Sequence, residues 1–314
     1  TDLCRLSPLG GLTVTAASLE NRGTLGGAAA VELAANSLSN QRGLVFSGND
    51  MTLRVGSLSN YYGDIYSLGG LDLAGNAGAR AVLLDNISGS VESAGNMTLA
   101  VDTLLNRKEF LSSTKKLVAG NVNVYPDDRC KGKGCELYFS ATESWEDVID
   151  RDTPTAFITT GSKLTFAGDA FRNHYSSVSA AGDIAINTAV FENKGAGGGE
   201  QRNLTASMYT RDRGQYNAFI QAKNQFNQNP GSLTLDEVMA AAGYPQYSIY
   251  DVIDNRTPIA GAVVAPAVVQ SAGAVTINAT QRIDNSVVRV NQAGAGTIGA
   301  RGDASADPRQ VQTQ

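Results

Sequence analysis

Along most of the chain, apolar residues alternate with polar ones in runs of four to ten residues, and each run closes on a Gly, Asn or Asp turn. Alternation of this kind is the period of a strand with one buried face. The stretch Ser37 to Leu73, SLSNQRGLVFSGNDMTLRVGSLSNYYGDIYSLGGLDL, shows the unit and its return. An apolar-x-Asn triplet recurs with its asparagine at Asn21, Asn40, Asn60, Asn86, Asn106, Asn173, Asn193 and Asn285. Most steps are 19 or 20 residues, and the long gaps after Asn106 and Asn193 read as insertions. A second half-motif runs in phase, Ser/Ala-x-Gly followed by alternating apolar residues. It appears as SGNDMTL (47–53), SLGGLDL (67–73), SAGNMTL (93–99), VAGNVNV (118–124), TTGSKLTF (159–166), AAGDIAI (180–186) and SAGAVTI (271–277).

A unit of about 20 residues made of short strands cannot bury its own apolar face and must stack on the next unit. With strands alone, stacking predicts an all-β chain in the form of a parallel β-helix, each ~20-residue coil rising by about 4.8 Å, the strand spacing. Leu, Val, Ile and Phe are expected to point inward. The recurring asparagines are expected to form an amide ladder inside one turn, a structural rather than a catalytic role.

The period lapses twice. Residues 107–152 are dense in charge and hold Trp145, the one tryptophan, and the pair Cys130 and Cys135 in CKGKGC; they read as a loop or hairpin outside the coils. Residues 194–266 open on a flexible Gly segment, GAGGGEQ, and are rich in tyrosine. SLTLDEVMAAAGY (232–244) carries a helix signature, with Thr234 and Glu237 as a capping box and Gly243 as a stop. GQYNAFIQAKNQFNQNPG (214–231) fits a second helix. The chain therefore divides into repeats at 1–106, a charged insertion at 107–152, coils at 153–193, a Tyr-rich partly helical insertion at 194–266, a coil at 267–292 and a tail at 293–314. Long excursions from a regular scaffold carry function or are tolerated insertions. Tyr209, Tyr216, Phe219, Tyr244, Tyr247, Tyr250 and Trp145 are the candidate receptor-contacting residues, since such rings offer area at low entropic cost. Packing of the insertion onto the coils is the alternative role for each.

Composition narrows the function. Net charge −5 and a pI near 5.0 argue against a nucleic-acid surface. No apolar run approaches the roughly 18–20 residues that span a bilayer. The chain opens mid-pattern, which reads as a piece of something longer. Cys130 and Cys135 suit a small disulfide loop in an exported protein, or two reduced thiols. A metal site needs more ligands, and His174, the one histidine, lies far off in sequence; no metal or cofactor is expected. A single histidine also disfavours Ser-His-Asp and Cys-His catalysis. GAGTIG (294–299) follows no good strand, so it reads poorly as a nucleotide loop. Arg301-Gly302-Asp303 matches an integrin-binding tripeptide, and Asn203-Leu204-Thr205 is a glycosylation sequon.

The units LSNQRGLVFSGNDMTL, LSNYYGDIYSLGGLDL and FRNHYSSVSAAGDIAI, with VVQSAGAVTINATQRIDNSVV, resemble the filamentous-haemagglutinin repeats of two-partner-secreted exoproteins. The effectors of contact-dependent growth inhibition carry the same repeats. The resemblance implies a bacterial cell-surface filament, exported through an outer-membrane transporter and folded outside into a right-handed β-helix. It further implies a non-enzymatic segment that binds an outer-membrane receptor, protein or polysaccharide, on a neighbouring bacterium. A host-cell adhesin, a stalk without ligand and a carbohydrate-active β-helix are the alternatives. No binding residue carries over from the family, because the insertions match no motif of it.

Overall fold

The computed structural model describes residues 5–125, 130–131, 134–244 and 249–288. The chain is all-β and β-helix-like, with two helices in its second excursion. Each repeat gives one short strand to a first parallel sheet and one longer strand to a second. The short strands Thr24–Gly27, Leu44–Ser47, Asp64–Ser67, Ser90–Ser93, Phe157–Thr160, Ser177–Ala180 and Val268–Ser271 pair in that order. In the second sheet Leu12–Asn21, Val31–Gln41, Met51–Tyr61, Ala81–Ile87, Met97–Arg107 and Ala170–His174 follow one another in register. Ile184–Thr210 and Val275–Val288 extend it.

Register sets the core. Leu33, Leu53, Leu73, Leu99, Phe166 and Ile186 occupy one column, each directly beside the next, and all are buried. Burying a side chain of this size stabilises by about 1.5–3 kcal/mol, so one column explains why units too small to fold alone hold together as a stack.

The asparagines form a second column at the corner between the sheets. Each amide Nδ2 donates to the Oδ1 of the next asparagine, from Asn21 through Asn40, Asn60, Asn86, Asn106, Asn173 and Asn193 to Asn285, at 2.8–2.9 Å. The same amide also closes its own turn, as from Asn40 to the Gly43 carbonyl (2.9 Å) and from Asn60 to that of Gly63 (2.8 Å). Arg42, Tyr62, Ser88 and Tyr175, two residues after a ladder asparagine, take the left-handed conformation at this corner. A Cβ at Gly63 would lie 2.3 Å from the Asn40 amide nitrogen, so the ladder itself demands glycine there. The opposite corner has a hydroxyl counterpart that the repeat pattern left without a role: Ser47 and Ser67, fully buried, donate to the carbonyls of Asp50 (2.8 Å) and Gly70 (2.9 Å).

Both long gaps in the asparagine spacing are single steps of the stack. Asn106 pairs with Asn173 and Asn193 with Asn285 as though nothing intervened. Where the first excursion leaves and returns, Lys108 grips Asp152 at 2.5 and 2.7 Å and the Thr153 amide donates to the Phe110 carbonyl at 3.1 Å. Cys4, Tyr247, GAGTIG and Arg301-Gly302-Asp303 lie outside the described residues.

Candidate recognition site

The two excursions meet. Leu111–Tyr125 and Gly134–Asp152 form an antiparallel hairpin. Ile184–Thr210 starts in the stack, then runs out of it beyond Gly195, and its outer half pairs antiparallel with Gly134–Asp152, from Glu146 opposite Gly199 to Cys135 opposite Thr210. Ile249–Ala265 returns antiparallel along its other side. The result is one four-stranded sheet built from both excursions. The Gly segment expected to be a flexible opener is thus the middle of a strand. Its glycines serve close approach instead, because a Cβ at Gly199 would meet the Trp145 carbonyl at 2.8 Å.

Two helices cover one face of this sheet. In α1 (Arg213–Gln228) the Asp212 carboxylate caps the first turn, accepting from the amides of Gly214 (2.7 Å) and Gln215 (3.3 Å). In α2 (Leu235–Ala241) Thr234 and Glu237 form the capping box that their spacing predicts. Phe219, Phe226, Leu235, Val238 and Met239 pack onto Leu117, Val122, Leu137, Phe139, Leu204 and Met208. This core is separate from that of the repeats. The Phe226 ring fills the space a Cβ would need at Gly120, and the Asn227 amide bonds both the amide (2.7 Å) and the carbonyl (2.9 Å) of Val122. Edge-strand groups that invite foreign strands are thereby occupied locally.

One buried cation ties the module together. Arg202 donates to Asp254 and, through Nη1, to Asp236 at the start of α2 (2.7 Å). Glu143, 3.6 Å from the same nitrogen, accepts the Leu235 amide proton at 2.8 Å. Hydrogen bonding to Asp254 pushes the guanidinium pKa up despite the cost of burial, and the same bond holds the Asp254 carboxyl below the usual carboxylate range. At the tip of the hairpin Cys135 is disulfide-bonded and stands directly opposite Cys130 in register.

The candidate contact residues divide. Tyr209 and Tyr250 are exposed on the face of the sheet away from the helices, and Tyr244 is exposed just beyond α2. Phe219 is wholly buried against Phe139, with ring centroids 5.1 Å apart. Tyr216 and Trp145 are half-buried against the same core. For these three the packing role is the one the geometry assigns. Sequence reading missed Tyr125 and Tyr138, exposed partners in register with rings 6.4 Å apart. Their signal was the strict alternation in NVNVY and CELYFS, which puts both on one face. Among the described residues no group of three or more His, Cys, Asp or Glu is arranged to hold a metal ion.

The haemagglutinin-repeat family model matches residues 10–101, 76–123, 150–207 and 264–307. The chain belongs to the haemagglutinin-repeat family. It is a segment of a two-partner-secretion filament, a secreted protein associated with the cell surface. Toxin CdiA of Yersinia pestis is 27% identical over 160 residues, covering 45% of this chain and 5% of its own length; the chain thus spans a small part of that relative. No solved structure matches the chain significantly. Within the module the haemagglutinin-repeat matches leave 124–149 and 208–263 uncovered, stretches that hold most of the strand Gly134–Asp152, both helices and most of the returning strand.

Proposed function

We propose that this segment recognises a receptor on neighbouring target bacteria during contact-dependent growth inhibition. The repeats form a right-handed parallel β-helix that acts as a stiff stalk, and the module built from the two excursions is the non-catalytic binding body. The full protein leaves its cell through an outer-membrane two-partner-secretion transporter. One observation carries this reading: excursions far apart in sequence fold into a single body with its own core, and that body lies largely outside the repeat matches. A tolerated insertion has no need to find a distant second one.

The test measures binding of fluorescent protein to target bacteria by flow cytometry. The full chain is compared with a variant in which 110–152 and 196–265 are both replaced by short turns. Both must go together, because removing the first alone uncovers Leu204 and removing the second alone uncovers Phe139. Loss of binding with the β-sheet circular dichroism retained is expected. Equal binding by the stalk alone contradicts the reading.

A further inference from the structure

The face of the four-stranded sheet turned away from the helices has a definite chemistry. Register places its side chains in rows across the four strands: Ala119, Ser144, Gln201 and Thr257; then Asn121, Thr142, Asn203 and Asn255. The next rows are Asn123, Ser140, Thr205 and Ile253, and then Tyr125, Tyr138, Ser207 and Tyr250. None of these positions carries a charge. Charge on this side stands in the flanking rows, where Glu136, opposite Tyr209, accepts the Tyr250 hydroxyl proton at 3.2 Å and Glu146 stands opposite Gly199. Asn121, Asn123, Asn203 and Asn255 are exposed, as are Tyr125, Tyr138, Tyr250 and Ile253. Among the described residues no element packs over the face.

We propose that the uncharged middle rows of this face bind a neutral glycan at the surface of the target cell. The inference rests on the recognition reading above and names the chemistry of the receptor. Amides and hydroxyls each offer donor and acceptor together, which is what a sugar hydroxyl, itself both, requires. Such bonds form in numbers across a flat grid without a deep pocket. At one end Tyr125, Tyr138 and Tyr250 present rings to the apolar C–H face of a pyranose, and Tyr209 lies one step further along. The uncharged middle rows fit a neutral chain, and the Glu136 carboxylate beside Tyr250 repels phosphate or uronate groups at that end. A protein partner fits less well. The middle of the grid is Ser140, Thr142, Asn203 and Thr205, whereas the buried centre of a protein interface is the more apolar part.

The test uses the intact chain on an array of uncharged glycans (dextran, mannan, galactan and neutral oligosaccharides), with heparin and alginate as acidic comparators. Tyr138→Ala, Tyr250→Ala and Asn203→Asp are measured beside it. All three positions are exposed, and circular dichroism checks each fold. Retention by at least one neutral glycan is expected, unchanged between about 0.1 and 1 M salt, where screening removes exposed charge–charge attraction. Each variant is expected to bind at least ten-fold more weakly. In parallel, target bacteria are treated with periodate, which cleaves vicinal diols, or with protease. Binding that survives protease and is lost to periodate supports the proposal. Binding lost to protease and indifferent to periodate overturns it while leaving the recognition reading intact. Failure to bind any neutral glycan, or binding only to acidic ones, also overturns it. Failure to bind any untreated bacterium counts instead against the recognition reading.

Discussion

Arg202 holds Asp254 at two points, with Nε 2.9 Å from Oδ1 and Nη2 2.7 Å from Oδ2. The two residues sit on neighbouring strands of the second excursion, and the same guanidinium reaches Asp236 on α2 and lies against Glu143 on the first. One side chain therefore links four elements. The two excursions are held as one body by this ion cluster as well as by the shared apolar core.

Replacing Arg202 with Met is expected to loosen the module selectively. Breaking a buried pair by removing one partner costs about 3–5 kcal/mol. Asp236 and part of Asp254 recover water here, whereas Glu143 at 2% exposure does not. A loss of about 2–3 kcal/mol follows. Hydrogen exchange is expected to show lost protection at 235–241 and 249–254, with the repeat strand Met51–Tyr61 unchanged. Because the Asp254 carboxyl is held low, the pair's contribution is present above the usual carboxylate range and is lost as pH falls from there through the depressed value.

The asparagine ladder is expected to show a position effect. Asn60 is fully buried and donates to Gly63, Ser90 and Asn86 while accepting from Asn40. Asn60→Ala leaves several of these groups without a partner and is expected to cost about 2–3 kcal/mol. Asn21 stands at the end of the ladder, bonded to Asn40 alone among the asparagines, and Asn21→Ala is expected to cost less than half as much. Urea denaturation midpoints of the two variants decide it, and equal losses contradict a cooperative ladder.

His174 gives the repeats a titratable point. Burial pushes its pKa below the usual 6.5, and the hydrogen bond to Glu192 at 3.0 Å opposes the shift only in part. Glu192 is itself shared with Arg172, Lys194 and Arg282. The neutral ring is thus favoured in the folded state. Its contribution is present above pH 6.5 and is lost as pH falls from there toward the folded pKa. As the chain has one histidine, a single imidazole resonance reports the titration. A midpoint below 6.5 is expected, with the denaturation midpoint falling over the same range in the wild type and not in His174→Asn.

Sequence carried the repeats further than the module, for a physical reason. Leu38 and Asn40 are set by the strand before and the strand after, so the same constraint is written again in every unit. The hydroxyl corner at Ser47 and Ser67 was equally written, but serine is common enough in turns to hide it. In the module the pairing of Cys135 with Thr210, or Phe139 with Ala206, occurs once and joins residues far apart, so no periodicity announces it. The helices were legible because caps are local; Thr234 and Glu237 are three residues apart. The split among the aromatic residues was not legible. Whether Phe219 or Tyr209 faces water depends on which side of the sheet the helices cover, and that follows only from the distant pairing.

The central claim is that the module, and not the repeat stack, meets the target cell. Photo-crosslinking from single sites of the full chain measures this most directly. A benzophenone side chain is placed at Asn203 or Asn217 on the module, or at Leu68 or Val82 on the stack, all of them exposed. After irradiation on target bacteria, adducts to a cell-surface molecule are expected from Asn203 or Asn217 and not from Leu68 or Val82. Capture from the stack positions, with none from the module, contradicts the account.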